Sequence, residues 1–372
     1  MISSEREPNI RTEDRLIGSP AAAETHDSSF RFSHFPQLDG LRGIAVLLVV
    51  VGHAVEFSAG QLGQIGSSIA QLGVLLFFVL SGFLITGLLQ REQQTHGKID
   101  LKAFYARRTL RLGPALLVFL AVTGLLAKTR LLVDIPKYEF VVCLIYTRNI
   151  FGRSQSLGHL WSLSLEEQLY TFWPSAIKFF GISNILPYAA TAAIAVSVAR
   201  TTGIAQHWLP YETGVFYMRP WFRFDSILIG CCTILLLSKS EQAYQKIRAV
   251  LTAVPTQVLW AALLGWTILG EAWSKPSYIT LQTLLSGLAI CQLAITNNKL
   301  VIRIFSNQLL RYFGKISYSL YLWQQIFLVV REPAWCNLRN TPQNMLLPLC
   351  CAVASFHIIE APALRLKRHF QR

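Results

Sequence analysis

The chain has 372 residues, 52% of them hydrophobic and only 15% charged, with a net charge of +14 and a mean hydropathy of +0.41. Soluble domains carry about 25% charged residues, so the composition excludes an ordinary soluble enzyme and predicts an all-α polytopic integral membrane protein. The positive charge lies in short loops between apolar runs with no nucleic-acid-binding module beside it, which leaves membrane lipid as the partner and excludes nucleic acid.

Residues 1–34 are polar and charged, without the apolar stretch of a cleavable signal peptide, and read as a disordered cytosolic tail. Ten spans follow in one bundle, near 41–58, 69–90, 112–128, 164–181, 184–200, 222–238, 251–272, 278–296, 314–330 and 345–361. The stretch "YEFVVCLIYTRNI" (138–150) is apolar but short and is read as re-entrant or interfacial. With both termini inside, 23 of the 34 Lys and Arg residues face the cytosol and 11 face out. An eleventh span would put the basic 366–372 tail outside, so ten spans fit better. Residues 35–365 then form one membrane domain, with no internal repeat and no separate soluble domain. Of the seven cysteines, only Cys143 and Cys336 fall in external segments where they are available to pair.

In the first span, "LDGLRGIAVLLVVVGHA" (38–54) places Arg42 and His53 eleven residues apart. Eleven residues are three helical turns plus about 20°, so the two share one face with a rise of about 16 Å between them. With Arg42 at the cytosolic boundary, His53 lies near the midplane, either as a neutral hydrogen-bonded ring or as a catalytic group facing a wet interior. "YARRTLR" (105–111) stacks Arg107 and Arg111 one turn apart with Arg108 beside them. The positive-inside rule explains such residues, and so does a clamp for phosphate.

"LGHLWSLSLEEQLY" (157–170) puts His159, Trp161, Glu166 and Glu167 at the expected external mouth of the fourth span, where the acids also complement a helix dipole. "RPWFRFDSIL" (219–228) sets Arg223 and Asp225 among aromatics outside the sixth span. These residues suit a sugar ring, and an interfacial aromatic belt accounts equally for Trp221 and Phe222. His34 and Asp39 match the H-x4-D spacing of soluble-facing glycerolipid acyltransferases, but Pro36 intervenes and the context differs, so the match reads as chance.

In this order, these stretches together with "FFVLSGFLIT", "FYARRTLRLGP", "ISYSLYLW" and "IEAP" resemble the membrane acyltransferase-3 family, which O-acylates glycans and some natural products. The resemblance covers roughly residues 35 to 365. It implies a multi-helix membrane domain in the cytoplasmic membrane that takes an acyl group, acetyl by default, from cytosolic acyl-CoA. The acceptor implied is a hydroxyl of a surface glycan or lipid-linked sugar, and no metal is expected. An appended esterase domain, carried by some members, is not expected here. Where many relatives have His after "YLW", this chain has Gln324.

The resemblance assigns His53 as base or acyl carrier, with Glu166 and Arg42 assisting. Arg107, Arg108, Arg111 and Asp39 would hold the donor, and Trp161, Glu167, Arg223 and Asp225 the acceptor. A base that titrates near neutrality suits attack of a hydroxyl on a thioester. The rival readings are a flippase or transporter, which also buries ionisable groups, and an acyltransferase acting on a small natural product.

Overall fold

The computed structural model describes residues 30, 32–56, 60–205, 218–270, 276–329 and 343–366, and among them all regular structure is helical. The helices are α1 (Pro36–Val55), α2 (Gln61–His96), α3 (Leu101–Lys128), α4 (Lys137–Leu144), α5 (Arg148–Phe151), α6 (Leu160–Phe180), α7 (Ile185–Ala205) and α8 (Phe224–Leu237). They continue with α9 (Glu241–Ala253), α10 (Thr256–Gly270), α11 (Pro276–Ile295), α12 (Lys299–Phe305), α13 (Gln308–Leu328), α14 (Gln343–Ser355) and α15 (Ala361–Leu366). A π-helical turn, Phe356–Glu360, links the last two.

Each predicted span overlaps helical structure, the seventh (251–272) only across the break between α9 and α10. Among the described residues six helical stretches are long and apolar enough to cross a membrane, and a seventh counts if α9 and α10, bent by 77°, form one span, fewer than the ten expected. The helices α6 and α13 have 21 residues each but carry polar side chains, Glu166 to Gln168 on one and Gln324 with Gln325 on the other. These side chains lower the mean hydropathy of both helices, and they build the site.

Packing centres on α1, which lies between α2 and α13, while α2 also packs on α8. Close approach depends on reciprocal glycines. A Cβ on Gly43 would run into the Leu310 carbonyl and one on Gly314 into that of Asp39, so α1 and α13 meet backbone to backbone. Gly82 and Gly230 do the same for α2 and α8. Small residues at such crossings are how membrane helices gain van der Waals contact without a hydrophobic drive between them.

The loop after α3 dips inward. Gln168, eight residues into α6, donates to the Tyr146 carbonyl (2.7 Å) and exchanges hydrogen bonds with Asn149. At 1.5 Å per residue, the 146–149 turn therefore reaches about 12 Å along α6. The eight residues of α4 are too short to cross a membrane as a helix. Buried Glu139 secures this loop by accepting from the backbone amides of Arg153 and Ser154. Among the described residues Cys143 pairs with no other cysteine, and burial pushes its pKa up to about 12. Its expected partner Cys336 lies outside the described residues. The end of the expected tail is packed, with Phe30 against Tyr244 and Phe32 against Phe83.

Candidate active site

A cavity of about 430 Å³ opens at the end of the protein where α1 and α3 begin and α2 ends. Four guanidinium side chains line it: Arg42 from α1, Arg91 from α2, and Arg108 and Arg111 from α3. Arg108 and Arg111 lie three residues apart and so share a helix face. Asp100 starts that helix by accepting from the Ala103 amide (3.0 Å). Arg42 and Arg108 are the cationic neighbours of Arg111, with Glu360 also near it. Glu360 sits on the π-helical turn and accepts from Ser319. Such turns recur at functional sites because they redirect one side chain out of the helical register.

Arg107 is turned elsewhere. It pairs with Glu92 at 2.9 Å and does not line the cavity, so Arg91 stands where the sequence reading had put Arg107. Asp39 lines the mouth and its carboxylate accepts from His34 Nε2 at 2.8 Å, which makes the dismissed His34–Asp39 pair a real contact.

Glu166 is not at the opposite mouth, where it had been expected. It lines this same cavity with the arginines, while Glu167 accepts from Arg108 Nε at 2.6 Å. The physical reason is where α6 begins. It starts at Leu160 rather than 164, on buried residues, so the acids sit more than a turn down its length. Arg108 also lies 3.6 Å over the Tyr170 ring, a second anchor for the same cation. Glu167 is thus a partner of Arg108 and not an open acceptor ligand.

His53 is placed differently from expectation too. It occupies the last turn of α1, at the far end from the arginines, and does not line the cavity. Its Nδ1 lies 2.8 Å from the Gln324 side-chain carbonyl oxygen. That oxygen only accepts, so Nδ1 is the donor in this contact. Glu56 Oε2 is 3.8 Å from Nε2, and the His53 side chain is 18% exposed. The residue that departs from the family pattern is therefore the one that orients the histidine. Gln324 and His53 are 271 positions apart, and no local signal links them.

The remaining acceptor candidates divide. Trp161 stacks edge-on against Phe78, and the Arg223 guanidinium lies 5.8 Å from its ring. Asp225 is buried and fully engaged. Arg200 bonds it through two nitrogens at 2.9 and 2.6 Å, and Ser197 adds a third bond at 3.0 Å. Arg200 also donates to the Phe222 carbonyl and to Thr280. This buried ion pair ties α7, α8 and α11 together, and with three accepted hydrogen bonds and 1% exposure Asp225 is not open to the surface.

The fold and site define an integral membrane protein with an internal anion-attracting cavity at one end and an oriented imidazole at the other. The chain belongs to the acyltransferase-3 family, whose acyltransferase domain matches residues 35–359. It is 29% identical over 322 residues to the O-acetyltransferase OatA of Staphylococcus aureus strain NCTC 8325, covering 80% of this chain and 51% of that protein. A putative O-acetyltransferase of Staphylococcus aureus strain COL is likewise 29% identical over 318 residues, 79% of this chain and 50% of its own length. The chain thus spans about half the length of these curated relatives. No solved structure matches it.

Proposed function

We propose that this chain is a membrane O-acetyltransferase that moves an acetyl group from cytosolic acetyl-CoA to a hydroxyl of an extracytoplasmic glycan. The observation that carries the reading is the separation of the two polar sites: an arginine-lined cavity at one end, and His53 at the other. Membership of the acyltransferase-3 family and likeness to named O-acetyltransferases supply the reaction class.

In this reading Arg42, Arg91, Arg108 and Arg111 bind the phosphates of the donor, since guanidinium forks pair bidentately with phosphate oxygens. Glu166, inside the same cavity, contacts the arm that leads from those phosphates to the thioester. His53 Nε2, its tautomer fixed by Gln324, removes the proton of the acceptor hydroxyl. The freed oxygen attacks the thioester carbonyl, the carbon–sulfur bond breaks, and the thiolate leaves with a proton. Trp161 and Arg223 are the acceptor-side residues that fit a sugar ring.

The same reading has ten spans, residues 35–365 as the membrane domain, and both termini on the cytosolic side of the cytoplasmic membrane. The charge distribution and the overlap of each apolar run with helical structure support it. Mass spectrometry of surface polysaccharide from cells with and without the gene tests the proposal. O-acetyl groups present only with the gene are expected, and an identical glycan in both strains would contradict it.

A further inference from the structure

Ser162 and Tyr321 line the arginine-rich cavity, whereas His53, Gln324 and His159 do not. The Tyr321 hydroxyl donates to the His159 carbonyl at 2.9 Å and lies 2.5 Å from Ser162 Oγ. Ser162 also reaches the same carbonyl, at 3.3 Å. On its far side, the Tyr321 ring stands 5.4 Å from the His159 ring. Gln324, three residues further along α13, lies on the same helix face and holds His53. Tyr321 also packs against the apolar cluster that contains Val46 and Val50, the α1 residues between Arg42 and His53.

One side chain therefore stands between the two sites, latched by two hydroxyl contacts. We propose that Tyr321, held by Ser162, is a gate that must swing aside for the donor's acyl end to reach His53. The interpretation of what passes through it rests on the acetyltransferase reading, but the partition itself does not. Tyrosine has two soft side-chain torsions, so release of the latch moves the ring without moving a helix. The latch is also the feature that keeps water in the donor cavity away from the histidine when no acceptor is bound, a role closing elements commonly serve. Tyr321 is a positioning residue in this account, acting through the path it closes.

The test uses the full chain in sealed vesicles, with native cysteines replaced and His53→Cys as the reporter. A small, membrane-impermeant methanethiosulfonate is applied from the face on which the cavity opens, identified by labelling of His34→Cys. With Tyr321 intact, cavity-side labelling of the reporter should be slow. Tyr321→Ala should speed it about tenfold or more, and Ser162→Ala and Tyr321→Phe should each speed it several-fold, because each removes a hydroxyl contact of ordinary strength. Labelling of the reporter from the opposite face should stay unchanged, which shows that the variants fold. Cavity-side rates equal to the parent in Tyr321→Ala, Tyr321→Phe and Ser162→Ala alike would overturn the gate. In parallel, with His53 restored, Tyr321→Phe should hydrolyse acetyl-CoA several-fold faster without acceptor while its KM for acetyl-CoA is unchanged. Faster labelling with no acetyl-CoA turnover in any variant would leave the gate standing and sink the acetyltransferase reading instead.

Discussion

Replacing Gln324 with Leu keeps a side chain of similar size at a fully buried position and removes the oxygen that holds His53 Nδ1 at 2.8 Å. The Gln324 Nε2 has no hydrogen-bond partner among the described residues, so an apolar replacement also relieves a stranded polar group, and stability should hold. The cost falls on the histidine. A lost hydrogen bond is worth about 0.5–1.5 kcal/mol net, and a stranded N–H about 1–3 kcal/mol. With 18% of its side chain exposed, His53 recovers part of this from water, which leaves about 1–2 kcal/mol for the ring to be correctly held. That corresponds to a fall in kcat of about 5–30-fold. Initial rates of transfer from labelled acetyl-CoA in purified proteoliposomes read it directly. The KM for acetyl-CoA should not move, because Gln324 does not line the cavity. Gln324→His and Gln324→Glu, which keep an acceptor, should stay nearer to the parent rate. An unchanged kcat in Gln324→Leu, or a raised donor KM at constant kcat, would refute the assignment of Gln324 as the residue that orients His53.

Arg111→Ala should raise the Kd for acetyl-CoA about tenfold or more by isothermal titration in detergent, and Arg111→Lys should restore only part because it lacks the fork; equal affinity in all three would remove the cluster from donor binding. Asp225→Ala strands buried Arg200 and should cost about 3–5 kcal/mol of stability, read as a large drop in thermal midpoint. The double replacement Arg200→Leu with Asp225→Leu should recover most of it, and a stable Asp225→Ala with a raised acceptor KM would instead make Asp225 an acceptor ligand. For sidedness, Arg153→Cys, at an exposed loop position, should react with an impermeant maleimide on intact cells, and Lys239→Cys only after the membrane is opened. The reverse pattern would invert the assigned topology.

The apolar runs were legible because lipid imposes a length and a composition on every crossing helix, and each run overlaps helical structure among the described residues. Helix starts were less legible. Apolarity begins where water ends, but α6 begins earlier, at Leu160, inside the protein where a buried start has no lipid signature. That offset moved Glu166 from an expected acceptor mouth into the arginine-lined cavity. Arg107 and Arg91 could not be told apart by spacing, because the choice depends on Glu92, fifteen residues before Arg107 and folded back onto it. Asp225 looked open for the same reason, its partner Arg200 lying 25 positions away on another helix. His53 and Arg42 stood out because buried ionisable groups are rare in hydrocarbon. Gln324 stood out only as a departure from the family pattern, and its contact to His53 gives that departure a physical role.

The account turns on His53 as the group that activates the acceptor. The most direct test compares acetyl transfer by the parent protein and by His53→Ala, with acetyl-CoA binding measured on the same preparations. Loss of a general base should lower the rate about 10²–10⁴-fold, while donor affinity stays at the parent value because His53 lies outside the arginine-lined cavity. Transfer at the parent rate in His53→Ala would contradict the central claim.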